Sequence, residues 1–209
     1  MSHTLGLRQA QKQKTRQALL DAALGLLEDQ SLSSLGLREV TRAVGVAPTA
    51  FYRHFRSTAD LGVALVEEAL GSLHPMIRTI VSSAGDSDQR IERAVELIDR
   101  HVQTHPAHVR FIARERHGGV QSVREAIQGQ LARFAEEVTD ALAKDPVSEG
   151  WDDEDLLMLA NLYVDQMLIT ASLFLDVLEA PEEQRHRVAQ AATRRMRLIS
   201  IGREHWLEG

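Results

Sequence analysis

The tetrapeptide Gly45-Val46-Ala47-Pro48 restricts the fold of this chain most, because it stops one helix and starts another. Glycine adopts the left-handed conformation that ends helices, and proline lacks an N–H that a helix interior needs and a first turn does not. Upstream, Leu37, Val40 and Val44 recur at i, i+3 and i+7, which gives a helix with one apolar face. Downstream, Phe51 and Phe55 fall one turn apart on one face, while Thr49, Tyr52 and Arg53 fall on the other. One face can anchor and the other can read. A helix, a three-residue turn containing Gly and a second helix with polar side chains near its N-terminus form the helix-turn-helix, whose second helix enters the DNA major groove. Similar helix pairs occur in all-α proteins that never touch DNA, so the residue types must decide. Thr49, Tyr52, Arg53, His54, Arg56 and Ser57 all lie within a nine-residue segment, and these are side chains that contact phosphates.

The net charge of −6 argues against a polyanionic partner until its distribution is considered. Residues 1–60 carry +3 and the remainder −9, so a mildly basic module sits on an acidic body. Arg8, Lys12, Lys14 and Arg16 could lay an arm along the DNA backbone or into the minor groove, or form a solvated face; Arg16 is the first choice for contact. These charges precede any apolar run, which is not the order of a secretory signal. The absence of Cys excludes disulfides, thiolate nucleophiles and Cys-based zinc sites. The most apolar segment, 156–178, is interrupted by Asn161, Asp165 and Gln166, which a membrane span tolerates poorly, so no membrane partner is expected.

Periodicity along the rest of the chain is helical throughout, and no alternating Val/Ile run suggests a strand. An irregular arm to about Arg8 leads into a first helix with Leu19, Ala22, Ala23, Leu26 and Leu27 on its apolar stripe. A helix over 57–82, kinked by Pro75, connects the N-terminal module to the body. After a loop at 83–87, helices follow at about 91–105, 107–116, 121–144, 154–178 and 181–206. The expected architecture is all-α with about nine helices: a helix-turn-helix DNA-binding domain over 1–60 and a ligand-binding and dimerisation domain over 61–209. The last two helices of each subunit are the expected homodimer interface, as a four-helix arrangement.

GVAPTAFYRHF followed by Asp60-Leu61, with Lys14-Thr15-Arg16 and the apolar first helix upstream, resembles the DNA-binding domain of the TetR family of bacterial transcriptional repressors over residues 10–66. RERHGG at 114–119 and RMRLISIGREHW at 195–206 extend the similarity to the branch that represses genes of unsaturated fatty acid synthesis and acyl desaturation and senses long-chain acyl-CoA. The resemblance implies a cytoplasmic homodimer of nine-helix subunits with one ligand cavity each, binding double-stranded operator DNA. It implies that Tyr52 and His54 hold phosphates, that Thr49 and Arg53 face bases, and that Pro48 and Ala50 lie close to the groove. Two positions depart from the family pattern. Thr58 stands where Lys is usual, with Arg56 as a substitute phosphate anchor, and Gly36 stands where a capping Ser or Thr is usual.

Arg114 and Arg116 flank Glu115 beside Phe111 and Ile112; this cluster either meets the phosphates of a coenzyme A head group or is an internal ion-pair network. Phe134, Leu162, Gln166 and Phe174, with Phe111, are the further expected ligand contacts, although apolar residues at helical spacing are more often core. Asp165 and Gln166 in an apolar helix call for partners across a dimer or on a ligand. His101, His105 and His108 have helical spacing, but Pro106 intervenes, and neither a metal nor a resident cofactor is expected. A regulator of efflux or catabolic genes with another hydrophobic ligand is the alternative. An all-α enzyme is a weaker one, since no Gly-rich phosphate loop or nucleophile–base pattern is present, and no catalytic residue is assigned.

Overall fold

The computed structural model describes residues 2–81 and 86–208, and side chains from Gln9 to Leu207 outside that gap. The described part is built from helices α1 (Ser2–Leu26), α2 (Leu37–Val44), α3 (Pro48–Phe51), α4 (Thr58–Gly71), α5 (His74–Val81), α6 (Ser87–Thr104), α7 (Pro106–Glu115), α8 (Gln121–Leu142), α9 (Asp153–Asp176) and α10 (Glu182–His205). Short 3-10 turns lie at Pro146–Ser148 and Trp206–Glu208, and no strand occurs among the described residues.

The ten α-helices exceed the expected nine because the connecting helix is broken rather than kinked. α4 ends at Gly71, and α5 restarts at His74 with Pro75 in its first turn, where a missing N–H costs nothing. At the N-terminus the backbone is helical from Ser2, where an irregular arm was expected. Gln, Lys, Arg and Ala dominate residues 8–18, and these good helix formers extend a helix that the buried Leu19, Leu20 and Ala23 anchor. Residues 83–85 of the expected loop lie outside the described part.

One hydrophobic core runs without interruption from α1–α3 through α4 into α7, α8 and α9, joining Leu19, Val40, Phe51 and Phe55 to Leu65, Phe111, Ile127 and Phe134. α4 is the hub, with Leu61, Leu65 and Val66 fully buried. Gly62 lets it approach its neighbours: a Cβ there would stand 2.3 Å from Leu32 and 2.8 Å from Val123. A second core of Ile91, Val95, Val102, Phe174, Ala192 and Met196 binds α6, α9 and α10. α9 is long and apolar enough to cross a membrane by length and composition, and in this fold it packs on α6, α7, α8 and α10. Its outer face keeps Leu157, Met158, Leu162 and Ile169 exposed beside Leu198 and Ile201 of α10.

Candidate functional site

The geometry of the helix pair follows from its punctuation. At the start of α2 the Glu39 carboxylate accepts the Gly36 N–H at 3.0 Å, which fixes the entry to the helix although Gly36 has no side chain to cap its first turn. Gly45 ends α2 at φ 72°, and the Val46 N–H returns to the Thr41 carbonyl at 3.0 Å, closing the helix end. α3 then begins at Pro48. Phe51 and Phe55 are buried with ring centroids 5.5 Å apart, anchoring the inner face.

The outer face presents the predicted readers. Pro48, Thr49, Arg53 and Arg56 are exposed, Ala50 and His54 are half-buried, and Tyr52 is 63% exposed while its ring edge meets Phe51 at 5.8 Å. Regular α-helix ends at Phe51, and Tyr52, Arg53 and His54 ride on a tightening turn in which the His54 N–H bonds the Phe51 carbonyl at 2.8 Å. Arg16 reaches the same surface from α1, its guanidinium 4.8 Å from the Phe55 ring centroid. The Arg16 charge is thus held in place by the ring that anchors α3. His54 is kept below the ordinary histidine range by partial burial and by the nearby charges of Lys12, Arg16 and Arg53, and its Nδ1 has no partner.

A further capping pair was missed in the sequence. Ser57 Oγ accepts the Asp60 N–H at 3.1 Å, and Asp60 accepts the Arg56 N–H at 2.9 Å. This reciprocal cap starts α4 and aligns it with the helix pair. The Ser-x-x-Asp spacing was the available signal.

α7 faces two ways. Toward α1, Arg114 donates to the carbonyls of Leu27 at 2.7 Å, Gln30 at 2.6 Å and Glu28 at 3.0 Å. Glu115, buried with 1% of its surface exposed, accepts the Leu32 N–H at 2.9 Å, and Arg110 reaches Glu28 at 3.3 Å. α7 thus satisfies, from the body, carbonyls of the turn that follows α1. Arg114 therefore belongs to an internal clamp, the second of the two roles that the sequence leaves open for this cluster.

Toward the interior, α7 borders one of two adjoining cavities. The larger, about 110 Å³, lies among α4, α5, α6, α8 and α9, and Phe134 forms part of its wall against the His74 ring at 4.4 Å. The smaller, about 70 Å³, is lined by His108, Ile112 and Arg116 of α7 and by residues of α4, α6 and α9. Of the expected ligand contacts, Phe134 and Arg116 lie on these walls. Phe111 and Phe174 do not: they are 2% and 1% exposed within the two cores. Leu162 is 48% exposed on the outer face of α9. Gln166 lies outside both cavities and donates to Thr170 Oγ1 at 3.3 Å, while Asp165 is exposed. Helical spacing indicated which residues are apolar but not which side of each helix meets a void.

The three histidines form a ladder rather than a chelate. The His101 and His105 rings stack at 4.8 Å, His105 and His108 meet edge-on at 5.9 Å, and His108 approaches Glu68 at 3.4 Å. No group of three or more His, Cys, Asp or Glu among the described residues is placed to hold a metal ion. Burial, together with His105 and His108, lowers His101 to a pKa of about 4, so its ring is neutral near pH 7.

Comparison with known proteins bears on the N-terminal segment and on the fold. Residues 19–65 match the family model described as bacterial regulatory proteins, tetR family. The overall fold is similar to the transcriptional regulator FadR of Bacillus subtilis, solved with stearoyl-CoA, at 11% identity and TM-score 0.69 over 86% of this chain and 96% of that one. The fatty acid degradation regulator FadR of Bacillus halodurans gives 14% identity and TM-score 0.67 over 85% and 94% of the two chains. NalD of Pseudomonas aeruginosa, the secondary repressor of the MexAB-OprM multidrug efflux pump, gives 22% identity and TM-score 0.63 over 88% and 96%. Residues 19–65, which hold the helix-turn-helix, thus match the DNA-binding segment of that family, and the all-helical body shares the fold of these solved regulators.

Proposed function

We propose that this chain is a homodimeric repressor of unsaturated fatty acid synthesis or desaturase genes, released from or tightened on its operator by long-chain acyl-CoA. The observation that carries this reading is the pair of adjoining cavities beside α7. The larger is walled by Leu, Ile, Val, Met and Phe side chains, and the smaller has on its wall Arg116, whose side chain has no ion-pair or hydrogen-bond partner among the described residues. An acyl tail suits the first and a phosphorylated head suits the second. Arg16, Thr49, Tyr52, Arg53, His54 and Arg56 form the DNA-facing set, with Pro48 and Ala50 allowing close backbone approach. The bared Leu162, Ile169, Leu198 and Ile201 of α9 and α10 supply the surface for a second subunit. Such a repressor acts where its operator is, in the cytoplasm.

The resting cavity also suggests how binding does work. A cavity of about 150 Å³ holds a benzene molecule, so a long acyl chain must spread the helices around a void of about 110 Å³. A ligand that fits only the spread form shifts the population toward it, and α7 carries the change to the end of α1. The small resting volume equally favours a compact hydrophobic ligand and a regulator of efflux or catabolic genes as the second reading. Native mass spectrometry of the purified protein, followed by operator gel shifts with palmitoyl-CoA and oleoyl-CoA, decides between them. A mass increment of acyl-CoA and a shifted operator affinity support the first reading. No response to either acyl-CoA removes the lipid and leaves the regulator.

A further inference from the structure

His101 occupies the seam between the two cavities. It lines both, together with Leu70, Leu73, Leu168 and Ala171, and is the one polar side chain on the wall of the larger. Its ring stacks on His105, yet neither ring nitrogen makes a hydrogen bond among the described residues. A neutral imidazole carries one donor and one acceptor, and at the seam both remain available to a guest. The sequence of environments is therefore ordered: an apolar chamber around Phe134, an uncharged hydrogen-bonding group at His101, and a cationic chamber at Arg116.

We propose that His101 is the specificity-determining residue of the ligand site, donating a hydrogen bond to an uncharged carbonyl at the junction between an apolar tail and an anionic head. This rests on the acyl-CoA reading above and deepens it: the thioester carbonyl is the atom read at the seam. The seam selects for molecules whose polar atom lies where tail meets head. A hydrocarbon tail with no carbonyl leaves the imidazole N–H without an acceptor.

The test compares palmitoyl-CoA with S-hexadecyl-CoA, a thioether of equal tail length that lacks the carbonyl, by isothermal titration calorimetry. The native chain is expected to bind the thioester about tenfold more tightly, the range of one hydrogen bond to a buried group. His101→Phe retains a ring and removes the hydrogen bond, so it should bring the two affinities together, and His101→Gln, which keeps a donor, should restore part of the preference. Circular dichroism melting of both variants checks that they fold. Equal binding of the two molecules by the native chain, or a preference that survives in His101→Phe, overturns the assignment of His101 and leaves acyl-CoA sensing standing. Binding of neither molecule by the native chain overturns the acyl-CoA reading and this one with it.

Discussion

The outer face of α3 and the side of α7 that meets the end of α1 are both rich in polar side chains, and they use them in opposite ways. On α7, Arg110 pairs with Glu28, Arg114 donates to three carbonyls and Glu115 accepts from Leu32. On the reading face, Tyr52 and Arg53 project into solvent and His54 keeps a nitrogen unpaired. Polar groups bonded within the chain hold one part of it to another, and exposed ones stay open to an outside partner. Arg114 and Arg116 repeat the contrast two residues apart, the first tied to the end of α1 and the second free on a cavity wall. Substitutions on the satisfied side should therefore be read in stability and coupling, and those on the free side in binding.

The largest expected effect removes the anchor that serves both faces. Phe51 is fully buried between the reading turn and the core. Phe51→Ala should cost about 3–5 kcal/mol of stability, measurable as a lowered denaturant midpoint. A loss of operator binding with unchanged stability would mean that Phe51 does not tie the helix pair to the core.

Arg114→Ala comes next. It leaves three carbonyls of the turn after α1 without their cationic donor and should cost about 2 kcal/mol, since hydrogen bonds to charged groups contribute roughly 1.5–3. Operator affinity of the folded variant should change less than its response to ligand, because the substitution cuts the link between α7 and α1. An unaltered melting curve would show the clamp to be dispensable.

On the free side the order of magnitude falls. Arg53→Ala should weaken operator binding by about 1–3 kcal/mol and relax its selectivity, with no change in melting temperature. Tyr52→Phe should weaken binding by about 1 kcal/mol, uniformly across sequences. Gel shifts on a set of single-base operator variants separate the two patterns, and a selective loss with Tyr52→Phe would exchange the assigned roles.

The same contrast explains what the sequence made legible. The helix pair could be read because Gly45 and Pro48 act locally, and because exposed side chains keep their chemistry whatever packs behind them. The all-helical body followed from period alone. The break before Pro75 was readable only as a disturbance, since choosing between a kink and a break depends on how α5 packs against α8. The cavity was less legible still. Phe111, Phe134 and Phe174 look alike in sequence, and only the relative rotation of the helices sets Phe134 against a void and the other two in solid core. Arg114 and Arg116 are equally ambiguous, because their difference lies in the partners that a distant loop, residues 27–32, brings to one and not the other.

The smallest effect concerns protons, and it sets stability against binding on one residue. Burial and the charges of Lys12, Arg16 and Arg53 hold His54 below its ordinary value of 6.5. The unfolded chain therefore takes up a proton near pH 6.5 that the folded chain refuses, so this group makes stability fall as pH drops below that point, until the folded His54 also protonates. A DNA phosphate beside His54 reverses the local field and favours the charged ring, so operator affinity should rise over the same interval. The two trends have opposite signs. Melting temperature and operator affinity measured between pH 7.5 and roughly 5.5, for the native chain and His54→Gln, test both, the range being set by the ordinary histidine value. The variant should flatten each profile slightly. An affinity that falls with pH in the native chain, or one that rises equally in His54→Gln, would place His54 away from the phosphates and leave Tyr52 and Arg53 to carry that face.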